Sequence, residues 1–161
     1  MISFALYGRV GQGVRTATRV LAKAAFRSGY QVQCLIPYAT DVQTGFVKLD
    51  KAPISSRDIA EPDFFVIFDQ KIDAGLKRAK QGAVIIVNAN EKPKIKTKNK
   101  TKVFYVNTGS VATKRQKPNI VMIGALAKAF GKLPMKHIKA AVEDEGLGMA
   151  EVEEGFRSVK R

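Results

Sequence analysis

The segment Gly8-Arg9-Val10-Gly11-Gln12-Gly13 is the first place where the sequence offers chemistry. It follows a short apolar run, Ile2 to Tyr7. It precedes residues 14–27, where Val14, Ala17, Val20, Leu21, Ala24 and Ala25 recur at helical spacing. A glycine turn between a strand and a helix faces the ligand crevice of an open α/β sheet. Glycines there let the backbone approach a ligand, and the helix start offers unpaired N–H groups to an anion. On spacing alone two readings stay open: an anion-binding turn, or a tight connection that holds nothing. The dinucleotide version of the motif fails. Aligned on Gly11 and Gly13, its third glycine would stand at Thr16, and residues 30–36 carry no acid to meet a ribose. No Gly-Lys-Ser or Gly-Lys-Thr follows, so the turn is not a P-loop either.

Two basic patterns come next. Arg15, Arg19, Lys23 and Arg27 recur every four residues and form a stripe opposite the apolar face of the first helix. Arg15 falls in the first turn, where the helix dipole disfavours a cation. The stripe reads as a solvated basic face, with an acidic partner or an anion as the alternative. From Lys92 to Lys102, lysine occupies every second position. In an extended chain all six side chains would lie on one side. Pro93 removes a backbone donor, so the segment reads as a solvated loop or edge ribbon rather than a central strand.

The charge is concentrated there. The chain has 28 basic and 14 acidic residues, a net charge of +14. Residues 91–118 contribute nine basic side chains and one acid, a net of +8, more than half of the excess. The lysine segment contains neither arginine nor an aromatic residue, which nucleic-acid surfaces use for forked phosphate contacts and base stacking. The charge therefore does not point to nucleic acid.

Other chemistry is thin. Cys34 is the only cysteine and His137 the only histidine, which excludes a disulfide within the chain, a cysteine-ligated cluster and a multi-histidine metal site. Cys34 reads as a buried structural thiol in the second strand, and His137 as a surface residue. Asp69 closes the third apolar run and reads as a strand-end turn. Glu143, Asp144 and Glu145 read as a solvated helix end.

A chain of 161 residues suits one domain with a sizeable core. No apolar run reaches the roughly 20 residues that span a bilayer, and the N-terminus lacks a signal pattern, so a cytoplasmic protein is expected. The pattern predicts strands at residues 2–7, 30–36, 64–68, 83–87 and 103–106, with a further short one over 45–49. Helices are expected over 14–27, 72–79, 120–130 (capped by Asn119), from Pro134 through Val142, and over 149–159. Strands alternate with helices early and helices cluster late. The expectation is one α/β domain over residues 1–161, three-layer α/β/α with a mostly parallel, mixed sheet and a lysine-rich loop at 91–102.

At the glycine turn the chain resembles the gamma subunit of 2-oxoacid (pyruvate-type):ferredoxin oxidoreductases. That family opens with Gly-Arg-Gly-Gly-Gln-Gly and a helix carrying Thr-Ala and Leu-Ala-Lys-Ala. Here stand Gly8 to Gly13, Thr16-Ala17 and Leu21-Ala22-Lys23-Ala24. Pro62-Asp63 precedes the third main strand, and Pro118-Asn119 with Met122-Ile123-Gly124-Ala125 matches a late family segment. The resemblance covers nearly the whole chain. It implies one subunit of a multi-subunit enzyme that oxidatively decarboxylates a 2-oxoacid such as pyruvate to an acyl-coenzyme A and passes electrons to ferredoxin. It implies alpha, beta and delta partner subunits, which would supply the catalytic residues. Thiamine diphosphate and iron–sulfur clusters would sit on those partners, so that this chain alone binds no cofactor. Gly8, Arg9, Gly11, Gln12, Gly13, Asp41 and Gln43 would shape the wall near thiamine and coenzyme A. One stretch departs from the family, which shows Tyr-Gly-Pro-Glu-x-Arg-Gly-Gly where this chain has Tyr38-Ala39-Thr40-Asp41-Val42-Gln43-Thr44-Gly45. Asp41 keeps an acid, but Gln43 replaces a charged fork with a neutral amide. The alternative is a divergent, non-catalytic basic module that binds a polyanion or an acidic protein.

Overall fold

The computed structural model describes residues 1–56, 61–111 and 118–161. Lys114, Arg115 and Lys117, part of the basic excess counted above, lie outside them. Six strands form one sheet in the order β2-β3-β1-β4-β5-β6: β1 (Ile2–Arg9), β2 (Gln31–Leu35), β3 (Val42–Asp50), β4 (Phe64–Ile67), β5 (Val84–Asn88) and β6 (Lys102–Val106). β1, β4, β5 and β6 run parallel. β3 runs antiparallel between β1 and β2, which makes the sheet mixed. The expected short strand at 45–49 is thus a nine-residue strand at the heart of one half of the sheet. Its alternation is masked because Val47, Lys48 and Leu49 are all buried in succession.

The two faces are closed differently. Phe4, Leu6, Val47, Leu49, Val66 and Ile86 point to the first face, where they meet the helices. These are α1 (Val14–Arg27), α3 (Asn119–Phe130), α4 (Met135–Glu143) and α5 (Ala150–Ser158), with the single-turn α2 (Thr108–Val111) beside them. Phe65, Ile67, Ile85 and Val87 alternate to the second face, where Leu76 and Ile95 cover them. No α-helix stands there among the described residues. The helix expected over 72–79 is one 3-10 turn, Leu76–Arg78. Its N-terminal half is diverted because Asp73 Oδ1 accepts the Gly75 N–H at 2.9 Å and Gly75 turns to φ 66°. The β5–β6 crossover is an extended strap. The α/β class and the mostly parallel sheet are as expected, but the outer layer on the second face is thin.

α3 is the centre of the helical layer. Ten of its twelve residues are buried, and apart from Asn119 and the exposed Lys128 it is apolar, as a helix enclosed on most sides must be. It begins at Asn119 rather than after it: Pro118 holds the cap position, and the Asn119 Oδ1 accepts the Ile120 N–H at 3.0 Å. At its other end Phe130 packs edge-on against Phe4 and Phe64, with ring centroids 5.1 and 5.2 Å away. α5 crosses α3 where Gly124 and Gly155 face each other's helices. A Cβ on Gly124 would lie 2.8 Å from the Phe156 nitrogen, and one on Gly155 2.8 Å from the Val121 carbonyl carbon. The crossing is thus a contact of backbone on backbone.

Ion pairs join α1 to the end of α4. Arg19 and Lys23 both reach Glu145, at 2.8 and 2.7 Å, and Arg27 reaches Asp144 at 2.7 Å. The α1 stripe and the acidic helix end, both expected to be solvated, neutralise each other from Arg19 onward. Arg15 forms no ion pair with a described residue and stays exposed. His137 is half-buried and its Nδ1 lies 2.9 Å from Ser28 Oγ, which ties α4 to the end of α1.

Cys34 is exposed, contrary to the expected buried thiol, because β2 is an edge strand and its side chains are only partly covered. Partial desolvation still raises its pKa, against the opposing effect of Arg19, so it is no activated thiolate. On the other side of the sheet Lys48 is fully buried. Its Nζ donates to the Ser56 carbonyl at 2.8 Å and so pins the segment after β3 to the sheet.

Two outcomes follow from this packing. Gly155→Ala drives a methyl into the α3 backbone, which cannot yield as a flexible side chain can, and lowers stability by about 3 kcal/mol in urea unfolding. Glu145, hydrogen-bonded first by Arg19 and then by Lys23, has its pKa lowered from 4.5 to about 2. A depressed carboxylate pKa adds stability that is present above the ordinary value and lost as pH falls toward the depressed one. Melting temperature therefore drops as pH is lowered from about 5 to 2, and Glu145→Gln flattens that part of the profile. At pH 7 the same variant costs roughly 1–2 kcal/mol, since its partners are partly solvated.

Candidate functional site

The glycine turn is held as a unit by its own groups. The Arg9 N–H donates to Gln12 Oε1 at 2.6 Å, and the Gln12 N–H returns to the Arg9 carbonyl at 3.0 Å. The Val10 N–H donates to the Asp41 carbonyl at 2.8 Å, which fastens the turn to the start of β3. The Arg9 guanidinium then bridges two acids, with Nη1 at 2.7 Å from Asp41 and Nε at 3.5 Å from Asp69. The Asp41 hydrogen bond, foremost, raises the Arg9 pKa, with Asp69 adding to it. Arg9 is thus a fixed cation between the β1–α1 turn, the β2–β3 connection and the end of β4.

Two glycines of the turn are sterically required. A Cβ on Gly8 would meet Val14 Cγ2 at 2.5 Å and both Gln12 Oε1 and Phe68 Cβ at 3.0 Å. Gly13 has φ 86° and sits against Asn119, whose Nδ2 would lie 2.5 Å from an added Cβ. Gly13 and Asn119 lie far apart in the sequence and belong to the two motifs that carry the family resemblance. In space they are one contact.

Gly8, Arg9, Gly11, Gln12, Gly13 and Asp41 therefore form one cluster. Gln43 stands apart from it. Its backbone pairs with Gly8, but its side chain is 4% exposed and donates to the carbonyls of Pro37 and Thr44, both at 2.8 Å. The amide that replaces the family's arginine braces the β2–β3 connection and offers no free group to a ligand.

The turn opens onto a cleft of about 370 Å³ at the C-terminal ends of the parallel strands, lined by Gln12, Asp69, Gln70, Asn88, Asn90 and Thr108 among others. Asn88 organises its floor. Its Nδ2 donates to the Phe68 carbonyl at 3.1 Å, and its Oδ1 accepts both the N–H and the hydroxyl of Thr108, at 3.1 and 3.0 Å. Asp69 does serve a turn, since Oδ1 accepts the Lys71 N–H at 2.9 Å, but its other oxygen faces Arg9. A larger cleft of about 660 Å³ adjoins it on the second face, between the 3-10 turn and the strap, and shares Gln70, Ala89 and Asn90. It lies away from the glycine turn. The crevice residues Gln70, Asn88 and Asn90 carry no motif. Only their position at the ends of β4 and β5 marks them, and that follows from strand order, not from local sequence.

The chain is an open mixed α/β sheet with its helices on one face and a braced glycine turn at its crevice. The chain belongs to the pyruvate ferredoxin/flavodoxin oxidoreductase family, which it matches over residues 3–156. It is 31% identical over 163 residues to the pyruvate/ketoisovalerate oxidoreductases common subunit gamma of Pyrococcus abyssi, covering 89% of this chain and 86% of that one. It is 30% identical over 151 residues to the pyruvate synthase subunit PorC of Thermotoga maritima, covering 85% and 78%. The crystal structure of the pyruvate oxidoreductase subunit PORC from Thermotoga maritima has the same fold, with a TM-score of 0.85 over 99% of this chain and 97% of that one at 24% identity. The fold also recurs as 30% of the chain of a 2-oxoglutarate:ferredoxin oxidoreductase from Magnetococcus marinus, with a TM-score of 0.79 over 97% of this chain and 16% identity.

The Gly13–Asn119 contact can be tested by a double-mutant cycle. Gly13→Ala loses about 3 kcal/mol, the sum of positive-φ strain and the clash. In an Asn119→Gly background, which also removes the Asn119 Cβ that lies 2.8 Å from the added methyl, the clash is gone, so the same change costs only the roughly 1–2 kcal/mol of strain. Urea unfolding of the four proteins measures the coupling.

Proposed function

We propose that this chain is the gamma-type subunit of a multi-subunit 2-oxoacid:ferredoxin oxidoreductase. The family match over residues 3–156 carries the reading. The reaction is the oxidative decarboxylation of a 2-oxoacid, of the pyruvate class, to an acyl-coenzyme A, with the electrons passed to ferredoxin. Relatives named as gamma subunits match it along most of their own length, so its share of the enzyme is the share that a gamma subunit has.

The chain's own residues fit a wall and not a reaction centre. Cluster ligation needs several cysteines, and the one cysteine here is Cys34, on an edge strand. In this reading, which follows the family resemblance, the iron–sulfur clusters and the thiamine diphosphate are carried by the alpha, beta and delta partners. What this chain brings is the rigid turn from Gly8 to Gly13 with the Arg9 cation fixed by Asp41 and Asp69. Beside it lie the amides of Gln12, Gln70, Asn88 and Asn90, which donate and accept without charge. Such a surface orients polar and anionic groups of a substrate or of coenzyme A and excludes water when a partner subunit closes over it. The whole chain, residues 1–161, acts as one domain in that assembly, in the cytoplasm.

Co-expression with the alpha, beta and delta chains of the same source tests this. The expected result is one co-purifying complex whose thiamine-dependent 2-oxoacid oxidation is lost when this chain is omitted. Recovery of this chain as a lone monomer, beside a complex fully active without it, refutes the assignment.

A further inference from the structure

The lysine segment is the densest run of unpaired cations on the described surface. Arg9, Arg19, Lys23, Arg27, Lys80, Lys139 and Arg157 stand in ion pairs, and the other exposed cations without an ion pair among the described residues, such as Arg15, Lys71 and Lys132, are scattered along the chain. Lys92, Lys94, Lys96, Lys98, Lys100 and Lys102 are all exposed, and none is paired with an acid among the described residues.

The row is also fixed in place. Pro93, Ile95 and Thr97 alternate inward with the outward lysines, and Ile95 packs on the second-face core. The chain bends at Lys98 and Asn99, and there the Asn99 Nδ2 donates to the Ala79 carbonyl at 3.0 Å. The Gly82 N–H donates to the Lys100 carbonyl, and the Lys102 N–H to that of Ala83, both at 2.9 Å. Successive lysines along the extended part stand about 7 Å apart, inside the Debye length of roughly 8 Å at physiological salt, so they repel one another. A packed strap that holds like charges at this spacing is arranged for an acidic counter-surface.

Lysine chemistry decides what kind of contact this is. Permanent subunit interfaces are apolar at their centre and depleted in lysine, whereas rows of solvated ammonium groups accelerate encounter and release. Nucleic acid is disfavoured by the absence of arginine and aromatic residues from the row. We propose that the Lys92–Lys102 row is a reversible docking surface for an acidic protein, and that this protein is the electron acceptor of the complex. The assignment rests on the function proposed above, in which the acceptor is the one protein that must arrive and leave at every turnover.

The test uses the assembled complex carrying Lys96→Gln, Lys98→Gln, Lys100→Gln and Lys102→Gln together. All four side chains are exposed, so the melting temperature should not change. With the ferredoxin of the same source as acceptor, kcat/KM at low salt should fall about tenfold or more through KM, and its dependence on salt should become shallower. Reduction of a small dye by the same complex should stay as in the unsubstituted enzyme. Unchanged ferredoxin kinetics in a working complex overturn the docking assignment alone. So does loss of assembly or of dye reduction, which would make the row a subunit interface. An RNA mobility shift abolished by the four substitutions, with ferredoxin kinetics intact, overturns it in favour of a polyanion. An unsubstituted complex that oxidises no 2-oxoacid with either acceptor overturns the functional reading, and the docking assignment with it.

Discussion

The side chain of Asn119 occupies the space that any residue other than glycine would need at position 13. That contact fixes the glycine turn against the start of α3, and the rest of the crevice depends on it. α3 is in turn clamped from behind by α5 at the Gly124–Gly155 crossing and from the side by α1. A shift of α3 by the width of one methyl group would therefore move the turn, the Arg9 backbone and Gln12 together. The site is rigid because it is the end of a packed helical layer, not because the turn itself is rigid. A loop of this length with three glycines would otherwise be mobile.

The same layer explains where the charges went. α1 must lie with its apolar face on β1 and β3, which turns Arg19, Lys23 and Arg27 toward α4. The acids that end α4 meet them there, and Glu145 takes two cations at once. Helix packing thus converts two patches of opposite sign, each of which looks like a partner-binding surface in one dimension, into an internal contact. Arg15 escapes because it precedes the reach of Glu145 by one turn. The second face lacks such a layer. Its crossovers are interrupted by Asp73-Ala74-Gly75 and Pro93 and form no α-helix, and the lysine row of the strap faces solvent.

How much of this was legible in the sequence follows from which signals are local. The strand–turn–helix opening, the strands around Phe64 and Ile85, and the late helices are written in apolar periodicity and were readable within a residue or two. The second-face helix at 72–79 was not, because an Asx turn and a positive φ override a good apolar spacing. β3 was underestimated because two of its residues are buried polar ones, Gln43 and Lys48, whose partners come from other segments. Cys34 was misplaced since edge or centre is a property of strand order. For the site, the motif singles out Gly8, Arg9, Gly11, Gln12 and Gly13 with Asp41, and these residues lie together in space. The crevice amides were invisible, as was the fate of Gln43, whose donors go to Pro37 and Thr44 rather than outward.

The loss of the family's arginine at position 43 then has a structural reading. A guanidinium there would bring a charge to a site that is 4% exposed and flanked by backbone carbonyls. Burying it would require an acid or an open path to a ligand. The fixed cation that remains is Arg9, which the family motif shares, and Asp41 and Asp69 balance it at the mouth of the crevice. Two carboxylates around one guanidinium leave the cluster with no surplus positive charge. An anionic ligand would meet turn N–H groups and neutral amides here, with orientation set by hydrogen bonds more than by charge. The longest row of unpaired cations among the described residues lies on the strap, so in the proposed reading ligand handling and long-range attraction fall to different surfaces of the same small sheet.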